Sequence, residues 1–130
     1  MNEQGSHQEP LRTFEGLDCW KACRQLRLFV SGTVQPPLPK DEKHRLADQL
    51  IRAARSTTAN IAEGHGRYHH ADNAKFVGIS RGSCYEVLDH LITAADEGMI
   101  DPAMLAEGRV LIEQAIRPIN GYMTYLRKAR

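Results

Sequence analysis

Long apolar runs are missing from this chain. Stretches such as Leu28-Phe29-Val30 and Val110-Leu111-Ile112 fall far short of the roughly 20 residues that a bilayer-spanning helix requires. Residues 1–13 are polar, with Gly5 and Pro10 and no apolar core like that of a signal peptide. They read as a flexible tail ahead of a domain over 14–130 that works in the cytoplasm, off the membrane. Cysteine is scarce and odd in number. Cys19, Cys23 and Cys84 make neither a paired zinc framework nor a secreted disulfide pattern, which fits a reducing compartment. Cys19 and Cys23 stand one helical turn apart, a spacing open to a redox or metal pair and to small buried residues on one helix face. No chemistry is assigned to them. The formal net charge is only +1, which argues against a uniformly basic nucleic-acid binder.

Chemical motifs are equally sparse. There is no Glu-x-x-His pair of the kind that builds di-iron sites in helical bundles. Glu86 and His90 are a turn apart, but a single i,i+4 pair supplies two ligands and no second motif completes a set. A P-loop, a dinucleotide fingerprint and a Gly-x-Ser-x-Gly elbow are all lacking. The expectation is a non-enzymatic protein with no catalytic residue, no metal and no cofactor.

What the chain does have is apolar residues at helical spacing, within a hydrophobic content of 42% and few aromatics. Its 130 residues suffice for one domain with its own core. Cys19, Ala22, Leu26, Phe29 and Thr33, widened by Trp20, Cys23 and Val30, predict a first helix over 15–34. The Pro36-Pro37-Leu38-Pro39 run must end it. A second helix over 39–64 opens where Pro39 fits the first turn and Asp41 with Glu42 suits the positive end. Its stripe is Leu46, Leu50, Ala53, Ala54, Thr57 and Ile61, and Gly64 is expected to close it in a left-handed conformation. The third, over 71–97, presents Phe76, Ile79, Ser83, Val87, Leu91 and Ala94 and stops at Gly98. The fourth, over 101–128, starts with Asp101-Pro102 as cap and first turn and carries Met104, Leu111, Ala115, Ile119, Tyr122 and Leu126. Pro118 lies inside it and should bend it by freeing the carbonyl of Gln114. Four such segments on short connections give an all-α fold, an antiparallel up-down-up-down four-helix bundle. Trp20, Phe29, Ile51, Tyr85 and Ile92 are expected to overflow its narrow core and be covered between subunits.

The joint between the second and third helices is unusual: Asn60-Ile61-Ala62-Glu63-Gly64-His65-Gly66-Arg67. Polar groups near a bundle core are costly unless paired. Arg52, Asn60, Glu63, Ser83 and Glu86 are therefore expected to form an interhelical network that fixes register, with Arg52 or Arg67 as its cation. Taken with Phe14-x-x-Leu17-x-x-Trp20, Arg52-Ala53-Ala54 and Gly82-Ser83-x-x-Glu86, this joint resembles the bacterial four-helix-bundle proteins also called 23S rRNA intervening-sequence proteins. The resemblance runs from about Phe14 to Leu126. That family often has isoleucine and proline after the serine at Ser56, whereas this chain has Thr57 and Thr58, implying a smoother second helix. The resemblance implies a homo-oligomer, commonly a pentameric ring. It also implies kinship with accessory proteins of diversity-generating retroelements, which bind nucleic acid and a reverse transcriptase. It implies no settled activity.

Charge is unevenly distributed. Residues 117–130 carry Arg117, Arg127, Lys128 and Arg130 without an acid, while residues 86–113 carry seven carboxylates against Arg109 alone. An antiparallel bundle brings the end of the fourth helix to the loop holding His65, Arg67, His69 and His70, near Lys75, and gathers Asp96, Glu97, Asp101 and Glu107 at the other pole. Candidate nucleic-acid-binding residues are Arg67, His69, His70, Lys75, Arg127, Lys128 and Arg130, for RNA or DNA alike, and a ring would multiply them. Cations also favour helix C-termini whatever the function. A protein-interaction scaffold without nucleic-acid binding therefore stands as the alternative.

Overall fold

The structure is a computed structural model and describes residues 12–129. Most of the expected tail and Arg130 lie outside the described residues. Thr13 Oγ1 accepts from the Glu15 amide at 3.2 Å and caps a short 3-10 turn at Phe14–Gly16. Helix α1 spans Asp18–Phe29 and buries Cys19, Cys23, Leu26 and Phe29. The expected stripe slips after that, because Thr33 is exposed and Val34 is fully buried. The cause is a π turn at Val30–Val34, in which the Gln35 amide donates to the Val30 carbonyl at 2.9 Å. The wider turn takes up an extra residue and rotates the end of the segment, so Val34 replaces Thr33 on the core side.

Helix α2 spans Leu46–His65 and opens later than Pro39 suggests. A 3-10 turn at Lys40–Glu42 precedes it, and Arg45 breaks the run with φ −121° and ψ −106°. Glu42 still serves the positive helix end, since its Oε1 accepts from the Leu46 amide at 3.4 Å. Every residue of the expected α2 stripe is buried. The helix runs unbroken through Thr57 and Thr58, whose hydroxyls donate back to the Ala54 and Arg55 carbonyls at 2.7 and 3.3 Å.

Gly64 does not cap α2. It is buried inside the helix, where a Cβ would lie 2.6 Å from Asn73 Oδ1 and 2.9 Å from Phe76 Cβ. Its role is close approach of two helices, which no larger residue permits. The helix ends at Gly66 with a right-handed φ of −76°. Among the described residues the left-handed glycine is Gly98, φ +74°, just beyond the third helix.

Helix α3 covers His70–Asp96. Ser83, Val87, Leu91 and Ala94 are buried as expected, but Ile79 is 51% exposed and Phe76 only half-buried. The N-terminal half turns Asn73, Val77, Ser80 and Cys84 inward instead. An apolar periodicity steps over Asn73 and Ser80: Asn73 Nδ2 donates to the Tyr122 hydroxyl at 2.9 Å and Ser80 Oγ to the Thr57 carbonyl at 2.7 Å, while the buried Asn73 Oδ1 has no partner among the described residues. Helix α4, Pro102–Lys128, starts where Asp101 Oδ1 accepts from the Met104 amide at 2.8 Å and continues as one helix through Pro118.

Helix α1 packs on α2 and α4, and α3 on the same two. The four therefore close a square, and the short connections at 66–69 and 97–101 make successive helices antiparallel. Leu26, Leu50, Ile61, Leu91 and Ile119 are fully buried at its centre, each stabilising the fold by about 1.5–3 kcal/mol relative to exposure. Phe29 belongs to this core and does not overflow it, whereas Trp20, Ile51 and Ile92 are half-buried and Tyr85 is exposed. No helix among the described residues is long and apolar enough to cross a membrane.

Candidate nucleic-acid interface

The polar network expected across the joint is smaller than its residues suggest. Asn60 Nδ2 donates to Ser56 Oγ at 2.8 Å, and the Ser56 and Ser83 hydroxyls share a hydrogen bond, also at 2.8 Å, across the α2/α3 interface. The other three members stay outside it. Arg52 pairs with Asp48, Glu63 with Arg67 and Glu86 with His90, each one turn along its own exposed helix face. Such pairs contribute a few tenths of a kcal/mol. Register is instead held by small hydroxyls and one amide, with Arg27 Nη1 donating to Thr58 Oγ1 at 2.9 Å to tie α1 to α2. Sequence reasoning misses Ser56, Thr57, Thr58 and Ser80 as interhelical partners, because short polar residues in a helix read as tolerated rather than used.

One end of the bundle gathers the start of α1, the α2/α3 joint and the end of α4. Phe14 meets His65 edge to face with ring centroids 6.4 Å apart, and His70 lies 6.2 Å from Tyr125. The charge at this end is mixed: Glu15 and Asp18 stand at the opening of α1 and Asp72 in the first turn of α3. The opposite end likewise carries Lys40, Lys43 and Arg45 beside the acids of 96–107. A simple charge axis from pole to pole does not describe the molecule.

A groove along the α3/α4 seam separates charge more sharply. Three open recesses of about 550, 390 and 340 Å³ adjoin one another, the first two sharing Ala71 and Ala129 and the last two sharing Arg127. Tyr68, His69 and His70 line the mouth, Lys75 and Arg127 the middle, and Arg81, Asn120 and Thr124 the far end. Among the described residues no carboxylate side chain lines any of the three. The local sequence explains the shape. Helix α3 turns small residues, Ala71, Ala74 and Gly78, toward the seam, and α4 answers with Asn120, Met123, Thr124 and Arg127 at helical spacing. Arg81 is held in place by donating through Nε to Asn120 Oδ1 at 2.8 Å and by lying over the Tyr85 ring at 5.3 Å.

Of the candidates, His69, His70, Lys75 and Arg127 line this groove and Lys128 is exposed beside it. Lys75, Arg127 and Lys128 have no ion-pair partner among the described residues. Arg67 is not in the groove: its guanidinium pairs with Glu63 at 2.9 Å and covers the Phe76 ring at 4.6 Å. Sequence reasoning misses Arg81, Tyr68 and Tyr125. A cation count along one face of α3 and α4 would find Arg81; nothing in the spacing distinguishes an exposed tyrosine from a buried one.

The cysteines are core residues, all three buried and free. Cys23 Sγ lies 3.9 Å from both Cys84 Sγ and Ser80 Oγ. Burial pushes the Cys19 thiol up to about 12, and the hydrogen bond with Cys23, together with burial, raises Cys84 well above the ordinary thiol range. Among the described residues no group of three His, Cys, Asp or Glu side chains gathers to hold a metal. Burial raises the Tyr122 phenol above its usual value, against the opposing hydrogen bond from Asn73. It therefore remains a neutral anchor behind Tyr125.

The architecture defines an all-α four-helix bundle with a cationic groove on one seam. Residues 15–121 match the family model of the 23S rRNA-intervening sequence protein, and the chain belongs to that family. No curated protein matches it.

Proposed function

We propose that the protein is a non-enzymatic cytoplasmic bundle that assembles as a homo-oligomeric ring, a pentamer, and binds RNA or DNA through the α3/α4 groove. The observation that carries this reading is a row of adjoining recesses with Lys75, Arg81 and Arg127 and, among the described residues, no lining carboxylate side chain, in a chain whose net charge is only +1. Phosphate backbones are attracted by such clustered cations, and each contact releases a counterion. The other half of the same seam supports assembly. Beyond Arg81 it becomes more apolar, with Tyr85, Leu88, Ile112 and Ile116 around a recess that Arg109 and Glu113 complete. Covering that half against a second copy would set basic halves side by side, where weak phosphate contacts add.

The same apolar half supports the second reading, a protein-interaction scaffold. If the kinship with accessory proteins of diversity-generating retroelements that the family resemblance implies holds, a reverse transcriptase is the kind of partner it would take. The two readings part on one experiment. Reversing Lys75, Arg127 and Lys128 together to glutamate is expected to abolish RNA and DNA binding in a mobility-shift assay while leaving oligomer size by light scattering unchanged. Reversal of Glu97 and Asp101 is expected to leave binding intact. Undiminished binding by the triple variant, or a monomeric wild-type protein, would overturn the proposal.

A further inference from the structure

We propose that the groove selects single-stranded nucleic acid and stacks unpaired bases on Tyr68 at its mouth and on Tyr125, which lies against His70 of that mouth. This rests on the reading that the groove binds nucleic acid and specifies which kind. Tyr68 is 93% exposed, the most open of the large side chains, at the one joint that also opens into the groove. A ring this exposed adds little to the monomer core and is open to a ligand.

The ring is nevertheless oriented. Tyr68 and His69 meet edge to face at 4.9 Å and 87°, which leaves a Tyr68 face open. Tyr125 is 60% exposed and lies parallel to Tyr122, 9° between planes at 6.3 Å. Tyr122 is itself fixed by the hydrogen bond from Asn73. Tyr125 is thus a braced platform, with His70 beside it at 6.2 Å.

The cations begin directly behind Tyr68, since its recess shares Ala71 and Ala129 with the one holding Lys75 and Arg127. Aromatic faces leading into a cationic track, free of carboxylate side chains among the described residues, is the arrangement that holds a single strand, bases on the rings and phosphates on the cations. A duplex keeps its bases stacked inside and offers only phosphates, so the tyrosines would contribute nothing to it. Stacking accepts any base, which predicts little sequence preference.

The test is fluorescence anisotropy on the full chain with labelled oligonucleotides of about 20 nucleotides: single-stranded RNA, single-stranded DNA, the matching duplexes, and an abasic single strand with the same phosphates. Single strands are expected to bind about tenfold or more tighter than duplex or abasic strands at equal salt. Tyr68→Ala and Tyr125→Ala should each weaken single-strand binding by about tenfold and leave abasic binding unchanged. Tyr68→Phe and Tyr125→Phe should restore it, because a ring without its hydroxyl still stacks. Tighter binding of one sugar type identifies the source as RNA or DNA, and either outcome supports the proposal. Equal binding of single strand and duplex, or alanine variants that bind like wild type, would overturn this inference while leaving nucleic-acid binding by the groove intact. No binding to any oligonucleotide would overturn both.

Discussion

Gly64→Ala should destabilise the protein although alanine is the better helix former. In a helix interior the exchange favours alanine by about 1 kcal/mol. Here the new methyl would lie 2.6 Å from Asn73 Oδ1, 2.9 Å from Phe76 Cβ and 3.0 Å from the Asn73 carbonyl oxygen. Carbon contacts are most favourable at about 3.5–4.0 Å. Two of these three neighbours are backbone or Cβ atoms of α3, which cannot rotate away, so relief requires the helices to part at their tightest crossing. Overpacking costs about 1–3 kcal/mol, and with two rigid neighbours at 2.9 and 3.0 Å the upper part of that range applies, about 2–3 kcal/mol, which outweighs the propensity gain of about 1 kcal/mol and leaves a net loss of about 1–2 kcal/mol. For a domain of this size that lowers Tm by roughly 4–8 °C. Gly82→Ala is the control, because Gly82 is exposed in α3 with nothing within 4 Å of a Cβ. It should raise stability by about 0.5–1 kcal/mol. Thermal and urea unfolding monitored by circular dichroism, at one fixed protein concentration because assembly shifts apparent stability, measures both. A Gly64→Ala protein as stable as wild type would refute the close-approach role.

Ser83→Ala should cost about 1 kcal/mol in urea unfolding by removing the hydroxyl that bonds to Ser56 across the α2/α3 interface. Glu86→Ala, on the exposed side of the same helix, should change stability by no more than about 0.5 kcal/mol; the reverse order would contradict the placement of the network. Alkaline pH should weaken the fold through the cysteines. Cys19 keeps its proton up to about 12 when folded, whereas its ordinary value is 9.0. The unfolded chain therefore loses that proton first, so the stabilisation is complete below pH 9 and declines from there to pH 12. Urea midpoints under reducing conditions should be flat below that window and fall within it, less steeply in Cys19→Ala. An equally steep fall in that variant would remove Cys19 as a cause.

Apolar periodicity is enough for the four helices, for the stripe of α2 and for the Asp101 and Gly98 boundaries. It fails where the core is not apolar or the helix not regular. The inward face of α3 begins with Asn73 and Ser80, and the end of the first helix is displaced by a π turn, neither of which leaves a hydrophobic signature. Gly64 reads from sequence as the commonest use of glycine at a helix end, while its role depends on the neighbouring helix, a tertiary fact. The cations of the candidate site are legible as a charge excess near the C-terminus. Their grouping is not, because whether Arg67 serves the surface or pairs with Glu63, and whether Arg81 reaches the seam, depends on the rotation of α3 against α4.

The salt dependence of binding probes the groove most directly. Affinity of the wild-type protein for a single-stranded oligonucleotide, measured from about 50 to about 300 mM salt, should fall linearly on logarithmic axes, with each engaged cation adding about 0.7 to the slope. Arg127→Gln, which removes the cation shared by two of the three recesses, should lower that slope by about 0.7 per subunit engaged. An affinity indifferent to salt, or a slope unchanged in Arg127→Gln, would contradict phosphate binding in the α3/α4 groove.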